Sequence, residues 1–302
     1  MANVTPKDIK ELRDMTGCGM MDCKRALEEA DGNRDEAVKI LREKGLAKAA
    51  KKAGRIAAEG IVKTLIKDNV GIIVEINCET DFCAKSDKFV AFVDEMAETI
   101  LASGVDTPEA LMSCKVAGSD ETVESYLTNK IATIGENIKI RRFAKMEGVL
   151  TGYMHDGGRL GTLLKITTDK ADSAEVKECA KNVALQVTAL NAQYVSKDTV
   201  PADVLANEKE VQTKLVEQEG KPANVAEKIV EGRLRKFYEE VCLLEQKYFK
   251  DDSMSVGKYI DSVAKAQGCS IKVEEFIRFE RGEGIEKKVD DFASEVAQLA
   301  GK

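Results

Sequence analysis

Tryptophan is absent, aromatic residues make up only 5% of the 302 positions, and histidine occurs once, as His155. A core built from this sequence must therefore be aliphatic. With one histidine, a multi-histidine metal centre or an HExxH protease site lacks its parts. Long apolar runs are missing too: none approaches the roughly 18 residues that a membrane-spanning helix needs. The opening residues, Val4-Thr5-Pro6-Lys7-Asp8, lead straight into charged sequence, with no apolar stretch of signal-peptide type. A cytoplasmic protein is the expectation, without a membrane partner. Phosphate-binding loops of the GxxxxGK[ST] type, the GxSxG elbow and a GxGxxG following a strand are likewise missing. The chain is expected to bind no nucleotide by itself, to carry no cofactor, and not to be an enzyme.

Core material is nonetheless ample, at 43% hydrophobic and 33% charged residues, and the length suits two or three globular units. Eight cysteines in so long a chain do not make a disulfide scaffold and read as reduced thiols. Cys18 with Cys23, and Cys78 with Cys83, have a spacing that could offer four thiolates to zinc. The two pairs fall in different candidate domains and Cys23 lies on the apolar side of a helix, so no metal is expected. The net charge of −7 is uneven: Lys39 to Arg55 carries seven basic residues against Glu43 alone, a net of +6 that leaves −13 for the remainder. A nucleic-acid binder has a more general positive excess. A basic helix meeting an acidic protein is the expected use, with Lys51 and Lys52 by default solvated.

Pattern divides the chain. Thr5-Pro6-Lys7-Asp8 predicts a helix start, with Ile9, Leu12 and Met15 following at near-helical spacing. Gly17 and Gly19 break it before Met20, Met21, Cys23, Ala26 and Leu27. Asn33 and Glu36 cap a third helix carrying Ala37, Val38, Ile40 and Leu41. Gly45 then leads into a basic, alanine-rich helical connector over Leu46 to Ala58. A repeat follows. Glu59-Gly60-Ile61-Val62, then Gly71-Ile72-Ile73-Val74-Glu75-Ile76 and Thr80-Asp81, matches Glu147-Gly148-Val149-Leu150, then Gly161-Thr162-Leu163-Leu164-Lys165-Ile166 and Thr168-Asp169. Each predicts two strands joined by a turn, then an amphipathic helix, which makes a duplicated strand-strand-helix unit in an α+β fold. Beyond it, Val204, Val211 and Leu215, a turn at Gly220-Lys221-Pro222, and Val225, Ile229, Leu234 and Phe237 predict an antiparallel helical hairpin. It serves either packing or projection as a contact arm. Phe276-Ile277-Arg278-Phe279 reads as a strand, and Val289, Phe292, Val296 and Leu299 as a final helix.

Phe82 follows a strand in the short polar connection Glu79-Thr80-Asp81-Phe82, and such connections lie at the surface. The ring is either tucked under as a core plug, which the residues alone favour, or left out for a partner's pocket. Thr80 or Asp81 serves equally as a helix N-cap. His155 sits in a turn, suited to an exposed contact.

Several segments together, in one order, resemble the elongation factor Ts family of bacteria along nearly the whole chain: Met15 through Lys24, residues 48–60, residues 71–82, Ile134-Gly135-Glu136-Asn137-Ile138, and residues 276–287. The resemblance implies a ubiquitin-associated-like three-helix domain with a basic connector over residues 1–54. It implies a core in two halves, 55–140 and 141–280, with a helical hairpin at about 191–237, and a C-terminal helical module over 281–302. It also implies guanine-nucleotide exchange on elongation factor Tu during translation elongation, with no direct nucleic-acid contact. In similar proteins the aspartate-phenylalanine pair enters the partner's GTPase domain near the magnesium and phosphate site. That reverses the plug reading: Phe82 would wedge between partner helices, and Asp81, preceded by Thr80, would disturb the groups that organise the metal. Lys24 would grip the GTPase domain from another side, Lys52, Ile134 and Gly135 would shape the core contact, and His155 would reach the partner's last β-barrel domain. A homodimer or two-to-two complex through the hairpin is left open. Cys83 stands where the family typically has valine and Cys18 where a small apolar residue is common, both small enough to keep the packing. The insert between Asn191 and Lys221 is longer than in some relatives.

Overall fold

The computed structural model describes residues 4–220 and 222–286. The first helix begins as its spacing predicts. The Thr5 hydroxyl accepts from the Asp8 N–H at 3.3 Å while the Asp8 carboxylate accepts from the Thr5 N–H at 3.1 Å, a reciprocal capping box. Helices α1 (Pro6–Thr16), α2 (Met20–Glu29) and α3 (Arg34–Lys52) close on Leu12, Cys23, Ala26, Leu27, Ala37 and Leu41. The connector expected after Gly45 is helical and continuous with the third helix. Helix α3 runs for 19 residues and stops at Lys52 instead of continuing to Ala58. A Cβ at buried Gly45 would lie 3.5 Å from that of Ala132, an ordinary contact distance, and the helix runs through this glycine unbroken.

Strands β1 (Glu59–Lys67) and β2 (Val70–Cys78) follow, joined through Asp68 and Asn69. Then come α4 (Asp81–Ala84) and α5 (Asp87–Ser103), the latter burying Phe89, Phe92, Val93, Met96 and Ile100. Next are α6 (Pro108–Leu111), α7 (Val123–Ile134) and β3 (Lys139–Glu147). The order β1-β2-β3 makes one sheet. Strand β3 has no counterpart in the sequence reading, for a physical reason: its buried residues Ile140, Phe143 and Met146 recur every third position, a helix-like period.

Strands β4 (Val149–His155) and β5 (Leu160–Thr168) precede α8 (Ala174–Leu190), the second strand-strand-helix run. They pair antiparallel, with Val149 opposite Ile166 and His155 opposite Leu160. Helices α9 (Ala202–Gln218) and α10 (Ala223–Val241) form the expected hairpin, where Arg233 reaches Glu219 at 2.7 Å. After them come β6 (Lys247–Tyr248), β7 (Asp251–Ser255), α11 (Val256–Gln267) and β8 (Ile271–Glu280). Strand β8 pairs antiparallel with β5 to give the order β4-β5-β8.

Two compact units result. Among the described residues, one holds residues 4–61, Val74–Phe143 and 281–286; the other holds Val62–Ile73 and Ala144–Glu280. In the first, Glu75 is fully buried on β2 and accepts from Arg141 at 2.9 Å, Arg142 at 2.6 Å, Asn77 at 3.1 Å and the Gly282 N–H at 2.8 Å. Burial alone would raise its pKa, yet these donors hold it below the ordinary value. Gly282, at φ 72°, could not carry a side chain, since a Cβ would fall 2.2 Å from the Ala58 carbonyl. In the second unit, Leu164, Ile166, Val176, Val183 and Val187 anchor the core between sheet and α8. From residue 287 onward, the C-terminal helical module expected over 281–302 lies outside the described residues. No helix among the described residues is long and apolar enough to cross a membrane.

Candidate functional site

Strand β2 ends on buried Cys78, and two residues later the chain is turned into α4. Thr80 is the N-cap, its hydroxyl accepting from the Cys83 N–H at 3.1 Å. Ser86 fixes the other end, donating to the Cys83 carbonyl at 2.8 Å and accepting from the Phe89 N–H at 3.3 Å to cap α5. In this single turn Cys83 and Ala84 take the inward positions, 6% and 3% exposed, so Phe82 is carried outward and is 84% exposed. The plug reading therefore fails, because the two small residues after the ring already fill the inner face. A phenyl side chain left in water forgoes about 1.5–3 kcal/mol of burial. Beside it, Asp81 accepts from Lys85 at 2.8 Å, and that bond holds its carboxyl below the usual range.

The underlying support comes from the end of α7. Gly135 closes that helix in the left-handed region at φ 92°. Glu136 then accepts the backbone N–H groups of Glu79 and Thr80 at 3.0 and 2.9 Å and the Thr80 hydroxyl at 2.6 Å. In return, the Asn137 N–H donates to the Glu79 carboxylate at 2.6 Å, while the Asn137 side chain donates to the Arg55 carbonyl at 2.7 Å. A Cβ on Gly135 would come within 3.8 Å of Lys52 Nζ. Thr80, Asp81, Phe82, Lys52, Ile134 and Gly135 thus share one unit, on segments tied to one another. Sequence reasoning named Glu136 and Asn137 within a resembling stretch but gave them no role; their signal was adjacency to Gly135 in a polar loop that must satisfy its own backbone.

Lys24 belongs to the same unit, exposed on α2 and 3.7 Å from Glu28. Met20 and Met21, one turn before it on α2, and Met15 on α1 are 57%, 59% and 63% exposed. Met20 and Met21 begin the second helix as expected, and being adjacent they cannot both face one core. A cavity of about 750 Å³ lies nearby, lined among others by Met15, Val38, Leu41, Tyr126, Ala132 and Ile134. His155 lies in the other unit, exposed at the end of β4 and stacked on Tyr153 with ring centroids 6.3 Å apart.

Of the seven cations between Lys39 and Arg55, four have carboxylate partners: Lys39 with Glu36 at 3.1 Å, Lys44 with Glu29, Lys48 with Asp22 at 2.9 Å, and Arg55 with Glu79 at 3.4 Å. Cys78, Cys83 and Glu136 bring ligand-type atoms within 4.8 Å of one another. These donors are already engaged, however. Glu136 accepts the three bonds above, and the Cys78 thiol donates to the Thr80 carbonyl at 3.3 Å. Hydrogen bonding with Cys83, then burial, keeps that thiol protonated far above the ordinary range, and a metal ligand must be thiolate.

The family model described as Elongation factor TS matches residues 79–283. The Elongation factor Ts of Clostridium kluyveri is 50% identical over 306 residues, 99% of this chain and 100% of that protein. That of Clostridium botulinum is 48% identical over 304 residues, again 99% and 100%. That of Clostridioides difficile is 49% identical over 302 residues, 99% of each.

Proposed function

Because the chain belongs to the elongation factor Ts family, we propose that it is the guanine-nucleotide exchange factor of elongation factor Tu and acts by inserting Asp81-Phe82 near the magnesium and phosphate site of that GTPase. It works in the cytoplasm, without nucleic-acid or membrane contact. The observation that carries the reading is the ring of Phe82, 84% exposed on a turn pinned at both ends. An exchange factor makes and breaks no bonds and is in that sense not an enzyme. It lowers nucleotide affinity because factor and nucleotide stabilise incompatible arrangements of one pocket, and the coupling is reciprocal. Accelerating release by four decades needs roughly 5.5 kcal/mol of differential stabilisation, at about 1.4 kcal/mol per decade.

Phe82 supplies part of this by wedging between partner helices, and Asp81 by displacing groups that hold the metal. Lys52, Ile134 and Gly135 shape the contact around the wedge. The ubiquitin-associated-like helices α1 to α3 grip the GTPase domain through Lys24 and the exposed methionines beside it, and His155 reaches the partner's last β-barrel domain. The two strand-strand-helix runs are halves of a duplicated core, and the hairpin inserted in the second half, α9 with α10, is the surface for a homodimer or two-to-two complex.

The test is release of fluorescent GDP from elongation factor Tu, with and without this protein. Truncating a buried interface aromatic commonly costs about 2 kcal/mol, so Phe82→Ala should slow stimulated release about thirtyfold with the fold intact. Release at the native rate by that variant would refute the wedge.

A further inference from the structure

We infer that Glu136 is a positioning residue: its carboxylate, with that of Glu79, forms a reciprocal clasp that holds the Thr80–Phe82 turn in its outward attitude. The inference rests on the wedge reading and names what makes the wedge stiff. A four-residue helix at the end of a strand has too few internal bonds to hold a shape alone. Here the missing restraint comes from elsewhere in the chain. Glu136 takes all three donors at the start of the turn, namely the N–H groups of Glu79 and Thr80 at 3.0 and 2.9 Å and the Thr80 hydroxyl at 2.6 Å. Glu79 answers by accepting the Asn137 N–H at 2.6 Å. Each loop thus satisfies the backbone of the other, and bonds to a charged acceptor are the stronger kind.

The clasp has a third arm. Asn137 is 2% exposed, and its amide donates to the Arg55 carbonyl at 2.7 Å and, at 3.4 Å, to that of Ala53. The end of α3, the end of α7 and the α4 turn are therefore bonded to one another. Glu136 would touch no partner atom to have its effect. A ring that must push helices apart in another protein transmits force only if its own base does not yield, and a swivelling ring would lose its effect through conformational entropy. Removing the clasp should therefore leave docking intact and weaken the push.

The experiment measures fluorescent GDP release from elongation factor Tu over a range of factor concentrations, for Glu136→Ala, Glu136→Gln, Phe82→Ala and the double variant Glu136→Ala with Phe82→Ala. Glu136→Ala should lower the saturating release rate about tenfold, equal to about 1.4 kcal/mol, with the half-saturating concentration changed less than about twofold. Glu136→Gln keeps one acceptor oxygen for the two backbone N–H groups and should recover most of the rate. In the Phe82→Ala background the Glu136→Ala change should have no further effect, since a loose base no longer matters without the ring. If Glu136→Ala does not fold, Thr80→Ala removes the 2.6 Å bond and the cap alone and should show the same loss in saturating rate. Additive losses in the double variant, or a rise in half-saturating concentration at unchanged maximal rate, would overturn the clasp while leaving the wedge standing. A native rate for Phe82→Ala would instead remove the wedge beneath it.

Discussion

The two strand-strand-helix runs end in the same pair of residues and use it in opposite ways. After β2 the chain reads Thr80-Asp81-Phe82; after β5 it reads Thr168-Asp169-Lys170. In the first run Asp81 bonds only four residues on, to Lys85 at 2.8 Å, and the ring beside it stays in water. In the second run Asp169 reaches across 101 residues to accept the Ser270 N–H at 2.8 Å, and Lys170 donates to the Gln267 carbonyl at 2.6 Å. One turn leaves its ring in solvent while the other is bonded onto its own chain. The middle of each sheet differs in parallel. Glu75 on β2 is fully buried among two arginines, an asparagine and a backbone N–H, whereas the matching Lys165 on β5 is only half-buried. The proposed wedge thus depends on the turn after β2 staying uncovered, while the turn after β5 is engaged by residues of its own chain.

The sharpest way to separate the runs is at those two strand centres. Removing one member of a buried, hydrogen-bonded ion pair costs about 3 kcal/mol or more, because the charges left behind stay desolvated. Glu75→Gln should therefore lower the unfolding free energy by about 3 kcal/mol in denaturant titration, and Lys165→Gln by less than about 1 kcal/mol. Equal losses would erase the distinction. The same carboxyl gives a pH signature. Its folded pKa lies below the ordinary value of 4.5, so its contribution is complete above that value and is lost as the pH falls through the folded one. The native protein should lose stability on acidification below about pH 4.5 more steeply than Glu75→Gln.

A second contrast concerns exchange instead of stability. Phe82→Ala should cost about 2 kcal/mol in stimulated nucleotide release, thirtyfold in rate. Lys170→Ala, the matched change in the other run, should stay within about twofold of native, since that side chain serves an internal carbonyl. A comparable slowing by both would mean that the second turn also meets the partner.

How much of this could be read beforehand depends on whether a residue's neighbours lie close in sequence. The capping box at Thr5 and Asp8, both strand pairs, the hairpin of α9 with α10 and the basic character of α3 are local patterns, and all were legible. The helical connector after Gly45 was legible but its end was not: α3 stops at Lys52, short of the expected Ala58. Strand β3 carries Arg141 and Arg142, whose partner Glu75 is more than sixty residues away, beyond the reach of any local pattern. The exposure of Phe82 turned on Cys83 and Ala84 being small enough to fill the inside of one helical turn. Its support by Glu136 joins segments 56 or 57 residues apart, which no spacing rule reaches.

The smallest effect tests whether the second turn is really closed. Asp169 also accepts the Ser270 hydroxyl at 3.2 Å, and the Ser270 N–H, then its own backbone N–H, holds its carboxyl below the usual range. The group is solvent-facing, so its bond restrains a junction more than it stabilises the fold. Asp169→Ala should leave the thermal midpoint nearly unchanged and speed hydrogen exchange of the Ser270 amide by about an order of magnitude, because local opening is what such a bond suppresses. Asp81→Ala should have no such distant effect, its partner being one turn away on the same segment. If Ser270 kept its protection without Asp169, the turn after β5 would be closed by packing alone, and the chemical difference between the two Thr-Asp pairs would reduce to the presence of the ring at Phe82.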